Sequence, residues 1–102
     1  MEFVESAIFT RLIVAIMGDT AYAAFQESVI QHPDDGDLIP GGGGLRKLRW
    51  GGSGRGKRGG LRIIYYWSKK RDTIALFYVY AKNDLADLTK TQIRILRQLI
   101  KE

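Results

Sequence analysis

The sequence contains no cysteine and one histidine, His32. Without thiols there are no disulfides and no thiolate metal sites, which fits a reducing compartment. His32 sits in an acidic stretch before Pro33, far along the chain from every cluster of bases, and reads as a solvated helix end. A metal centre or a Ser–His–Asp-type triad therefore cannot be assembled on the basic part of the chain, and no cofactor is expected. Long apolar runs are missing too: none approaches the ~18 residues that a membrane span needs. The opening MEFVESAIF lacks the basic and apolar regions of a signal peptide, so a cytoplasmic location and no membrane partner are expected. The last absence is local. Residues 45–71, LRKLRWGGSGRGKRGGLRIIYYWSKKR, hold 10 of the 16 Lys and Arg residues and no Asp or Glu.

The charge is segregated on both sides of that stretch. Residues 1–44 carry one base, Arg11, and seven acids, while residues 72–102 carry five bases and four acids. A net charge of +5 distributed this way favours a directed electrostatic surface over generic solubility. A cationic surface with interleaved aromatics calls for a polyanion, and RNA is the first candidate. The chain of 102 residues is read as one domain, 1–102, able to bury about two thirds of its unfolded surface.

The local patterns give an element order. Phe3 and Val4 fit a short first strand. Ser6 is placed to cap a helix whose apolar face is Ile8, Phe9, Leu12, Ile13 and Ile16. Gly18 ends it, and a second helix starts at Asp19 or Thr20 and runs through Tyr22, Phe25, Val29 and Ile30 until Pro33. Residues 32–44 read as loop, because four consecutive glycines are costly to order unaided. Residues 45–50 form a strand with Leu45, Lys47 and Arg49 on one side and Arg46, Leu48 and Trp50 on the other. Residues 51–60 read as a mobile basic loop, residues 61–67 as a strand too apolar for an edge in water, and Thr73–Ala81 as the strand at the centre of the sheet. Thr89 and Gln92 form a capping box for a last helix that buries Ile93, Leu96, Leu99 and Ile100 and exposes Lys90, Arg94, Arg97 and Lys101. Consecutive strands predict an α+β fold of order β-α-α-β-β-β-α, a small antiparallel sheet with two N-terminal helices and one C-terminal helix.

Several motifs can be weighed directly. Gly51-x-x-x-x-Gly56-Lys57 matches the front of a phosphate-binding loop, but Arg58 stands where a Mg²⁺-holding Ser or Thr is needed, and a strand rather than a helix follows. The same segment is either a plain hairpin connection or a basic arm whose Arg55, Lys57 and Arg58 grip a phosphate backbone. Asp34, Asp35 and Asp37 lack the spacing of a calcium loop and read as a solvated acidic loop or a docking patch for a basic partner. Strand aromatics are core residues by default. Tyr66, on the Arg62 side of its strand, and Tyr80, on the Lys82 side, are nevertheless candidates to stack on an unpaired base.

RNA can be cut by its own 2′-hydroxyl, given a proton acceptor and cations for the phosphorane. Lys and Tyr are poor bases at neutral pH, with reference pKa values of about 10. Crowding by like charge lowers that of a lysine, and Lys47, between Arg46 and Arg49, is placed for it. Arginine suits the phosphorane oxygens.

The run GGLRKLRWGGSGRGKRGGLRIIYYW, the later FYVYAKNDLADLTKTQIRIL and the element order resemble the RelE/HigB superfamily of bacterial toxins, most closely the HigB-type branch with a long basic loop. The resemblance implies a ribosome-dependent mRNA endonuclease that works in the A site without a metal and is neutralised by a cognate antitoxin, HigA-like and DNA-binding. Carried over by position, Lys47, Arg49, Arg62 and Lys82 would be the catalytic residues. Lys47 would be proton acceptor or charge stabiliser, Arg49 and Arg62 would hold the scissile phosphate, and Lys82 the backbone or leaving group. Arg46, Arg55, Lys57, Arg58, Tyr66, Tyr80 and Asn83 would contact messenger or ribosomal RNA. The chain departs from the family where several members carry an arginine after that lysine, here Asn83, and where some carry a tyrosine entering the last helix, here Leu85 and Leu88. Asn83 also fits a plain turn. A non-catalytic RNA- or ribosome-binding module and an inactive toxin relic are the rival readings.

Overall fold

The computed structural model describes residues 1–51, 60–85 and 87–101. The elements are β1 (Glu2–Glu5), α1 (Ala7–Ile16), α2 (Asp19–Gln31), β2 (Asp37–Leu38), β3 (Arg46–Trp50), β4 (Leu61–Ser68), β5 (Thr73–Ala81) and α3 (Lys90–Arg97). The expected α+β class and order stand. The five strands form one sheet ordered β1-β5-β4-β3-β2. It is antiparallel from β2 to β5, whereas β1 lies parallel to β5. Parallel neighbours need a long crossover, and the whole chain between them supplies it. Taking β1 as its far neighbour moves β5 off centre, so β4 is the middle strand. The two-residue β2, expected as loop, pairs Asp37 with Lys47 and Leu38 with Arg46. Two residues show no periodicity, so such a strand leaves no pattern to read.

The sheet separates two apolar layers. On one face α1 and α2 bring Phe9, Ile13, Met17, Phe25 and Val29 against Leu48, Leu61, Ile63, Tyr65, Ile74, Leu76 and Val79. Ile8 and Ile30, expected on that face, stay largely exposed. The Tyr65 hydroxyl donates to the Pro33 carbonyl at 2.7 Å and accepts the Gly36 N–H at 2.9 Å, which pins the acidic loop beneath the sheet. On the other face Leu96 of α3 and Leu88, just before the helix, cover Leu45, Ile64, Phe77 and Tyr80. The capping box of α3 is formed as the sequence implies, Thr89 Oγ1 accepting the Gln92 N–H and Gln92 Oε1 accepting the Thr89 N–H. The helix ends at Arg97, so Leu99 lies past its apolar stripe and is 41% exposed rather than buried.

The four-glycine segment is shaped by close approaches. Gly43 has φ +66°, and a Cβ there would stand 2.6 Å from Arg97 Nε. Gly44 has φ +113°, and its Cβ would stand 2.7 Å from the Tyr66 ring. Both conformations are strained for any side chain, so only glycine lets this loop close onto α3 and β4.

A bulge sets which β5 side chains face α3. Tyr65 pairs with Leu76 and Ile64 with Tyr78, leaving Phe77 as one extra residue. Ile74 and Leu76 therefore face α1, whereas Phe77, Tyr78 and Tyr80 face the α3 layer. Ser6 secures this point. Its N–H donates to the Leu76 carbonyl at 2.9 Å, its hydroxyl donates to the Phe77 carbonyl at 2.9 Å, and the same oxygen accepts the Phe9 N–H at 3.1 Å as the cap of α1. Ser6→Ala removes the cap and leaves the bulge carbonyl unmet. It is expected to lower the unfolding free energy by about 1–2 kcal/mol, seen as an earlier urea midpoint at unchanged slope.

Candidate functional site

Alternation on β3 starts from Leu45, which is buried under α3, so Lys47 and Arg49 share its face. The register then builds two rows. Arg49 lies opposite Arg62, and Arg62 opposite Tyr80; one row away, Lys47 lies opposite Ile64, and Ile64 opposite Tyr78. Directly opposed side chains have Cβ atoms about 4.5–5.5 Å apart, and like charges so placed repel. Arg49 is exposed, whereas Arg62 is buried at 8% exposure with one guanidinium N–H on the Leu61 carbonyl at 3.3 Å. Lys82 follows two residues after Tyr80, exposed, its N–H bonded to the Gly60 carbonyl at 2.9 Å. Lys47, Arg49 and Arg62 thus meet on one face, with Lys82 at its rim.

This face is not free of carboxylates. Lys47 Nζ lies 3.2 Å from Asp87 Oδ1, and Asp37 stands directly opposite Lys47 across β2. Asp87 Oδ1 also accepts the Leu88 N–H at 2.9 Å. That N–H first, then the Lys47 hydrogen bond, with the charges of Lys47 and Arg62 adding, holds the Asp87 carboxyl below its ordinary range. Asp87 is the site residue that sequence reasoning missed. Its pairing spans 40 positions, and the count of charges by segment had placed it outside the basic stretch. Among the described residues no three His, Asp or Glu side chains gather as a metal would require.

Other expected residues lie elsewhere. Arg46 points to the opposite face, where its guanidinium donates to the carbonyls of Gly36 at 2.8 Å and Asp34 at 3.1 Å. It neither crowds Lys47 nor faces the cluster, because adjacent strand residues point apart. Tyr66, four residues along β4 from Arg62 and so about 13 Å away, packs on Gly44 and is half-buried. Asn83 is exposed in the turn after β5. Arg55, Lys57 and Arg58 lie outside the described residues.

Tyr80 is 5% exposed and offers no open stacking face. Its hydroxyl is buried with no hydrogen-bond partner among the described residues. Burial first, then the Asp87 charge, pushes the phenol up, with Arg62 opposing. A raised phenol stays neutral in the fold. Its effect is absent below the unfolded value of about 10, and it destabilises the fold as pH rises from there toward the native value. Because an unpartnered buried hydroxyl costs about 1–3 kcal/mol, Tyr80→Phe is expected to raise the unfolding free energy at pH 7 and to remove part of the loss above pH 10. Destabilisation in urea at pH 7 would mean that the hydroxyl is bonded.

The cationic rows have a counterpart among known proteins. A family model described as the RelE toxin of the RelE/RelB toxin–antitoxin system matches residues 14–102. The match takes in β3, β4, β5 and α3, and with them every residue of the two rows. The chain belongs to the RelE toxin family and is a toxin of a toxin–antitoxin system.

Proposed function

We propose that the chain is an endoribonuclease that cuts translated messenger RNA in the ribosomal A site, and that an antitoxin encoded beside it neutralises it. The observation that carries this reading is the row of Arg49 opposite Arg62, with Lys47 one row away on the same face. Two arginines at directly opposed positions present two guanidinium forks on one face, and a phosphodiester is an anion that both can grip. In the reaction the 2′-hydroxyl gives up its proton to solvent as its oxygen bonds to the adjacent phosphorus, the bond to the 5′-oxygen breaks, and that oxygen takes a proton from solvent. A 2′,3′-cyclic phosphate and a 5′-hydroxyl result. Arg49 and Arg62 hold the phosphate oxygens as charge builds on them. Lys47, whose ammonium Asp87 positions, neutralises the phosphorane, and exposed Lys82 steadies the leaving side of the strand.

Lysine and tyrosine side chains are in general poor bases at neutral pH, so in this reading binding to the ribosome supplies the positioning that a weak free catalyst lacks. The basic segment 51–60 serves as the anchor to ribosomal RNA in this reading. A HigB-type assignment and a HigA-like, DNA-binding antitoxin go with it, on the strength of the basic run around Arg55, Lys57 and Arg58.

In a translating extract, the wild-type chain is expected to leave cuts in A-site codons. Lys47→Ala with Arg49→Ala, both at surface-accessible positions, is expected to lower the cutting rate by about 10²-fold or more while ribosome binding persists. Ribosome binding by a wild-type chain that leaves no cuts would assign the face to a non-catalytic binding module instead.

A further inference from the structure

A groove leaves the cationic cluster along α3. Two adjoining cavities, of 370 and 320 Å³, share Pro40, Lys90 and Ile93. The first has Lys47 and Lys90 in its wall together with Asp37 and Asp87; the second is lined by Lys90, Arg94 and Arg97 and by no acid. These three cations fall at i, i+4 and i+7, one stripe of the helix, about 10 Å long. A solvated stripe of an amphipathic helix would have the same spacing, but two features set this one apart. It faces a wall, the segment from Ile39 to Gly41, across a floor of Ile93. And Arg97 is held in place, donating to the Gly41 carbonyl at 3.3 Å while Gly43 closes over its guanidinium stem. A fixed guanidinium loses less side-chain freedom when it grips an anion.

We propose that this groove carries the single-stranded RNA that leaves the Lys47–Arg49–Arg62 cluster, with Lys90, Arg94 and Arg97 taking backbone phosphates and the apolar floor lying under the bases. The proposal rests on the cluster being the RNA-cutting site. Continuity with Lys47 favours RNA over an acidic protein segment, since a strand held at the cluster must leave along one of its open sides.

The test uses the full chain and a labelled single-stranded 2′-O-methyl RNA, which cannot be cut, with affinity measured across 50–200 mM salt. Lys90→Gln with Arg94→Gln removes two exposed cations, and Arg94→Gln alone serves if the double variant folds poorly. Removal of two phosphate contacts is expected to weaken binding and flatten the slope of log affinity against log salt by about 1.4. An unchanged slope overturns the proposal, as does a wild-type chain with no affinity for the RNA. Loss of polyglutamate binding at an unchanged RNA slope gives the groove to an acidic protein partner and overturns it likewise. A flattened slope in a chain that leaves no cuts in translated message keeps the groove and removes the cutting reading. Normal cuts with an unchanged slope do the reverse.

Discussion

One extra residue in β5 decides which side chains meet on the α3 face. Strict alternation from Leu76 would send Tyr78 and Tyr80 toward α1, where Phe9 and Ile13 already fill the layer. The bulge at Phe77 reverses the parity, and Tyr80 comes to lie beside Arg62. Ser6 ties that reversal to the first helix through three hydrogen bonds. A single residue near the start of the chain thereby fixes helix α1, strand β5 and the floor of the cationic cluster together.

The cluster works against the stability of the chain that carries it. Arg49 and Arg62 stand opposed on neighbouring strands, Arg62 is largely out of water, and the Tyr80 hydroxyl beside it finds no partner among the described residues. Each feature opposes folding, and the apolar layers on both faces of the sheet outweigh them. An arrangement of this kind favours a bound anion, because a phosphodiester between the arginines turns repulsion into two attractions. Asp37 and Asp87 stand nearest Lys47, and the Asp87 charge is felt at Arg62 as well, so the carboxylates temper the positive field without cancelling it.

Local chemistry was legible in the sequence. The Thr89–Gln92 box, the Ser6 cap and the span Thr73–Ala81 each rest on neighbours within a few positions, and each formed as read. Alternation likewise placed Lys47 and Arg49 together and set Arg46 apart. What escaped was whatever depends on distant chain. The bulge is silent because Phe77, Tyr78, Val79 and Tyr80 are apolar enough for either face. The pairing of β1 with β5 and of Asp87 with Lys47 joins segments that sequence order separates. Tyr80 passed for an exposed aromatic because nothing local announces that Leu88 and Leu96 will cover it.

The cutting chemistry proposed for the arginine row would leave a signature on the RNA. The most direct measurement is the identity of the new ends in message cut by the wild-type chain on translating ribosomes. Attack by the 2′-hydroxyl requires a 2′,3′-cyclic phosphate on the upstream fragment, a 5′-hydroxyl on the downstream one, and no cut where a 2′-deoxy nucleotide replaces the attacking position. A 5′-phosphate on the downstream fragment, or cutting that persists at the 2′-deoxy position, would contradict the account.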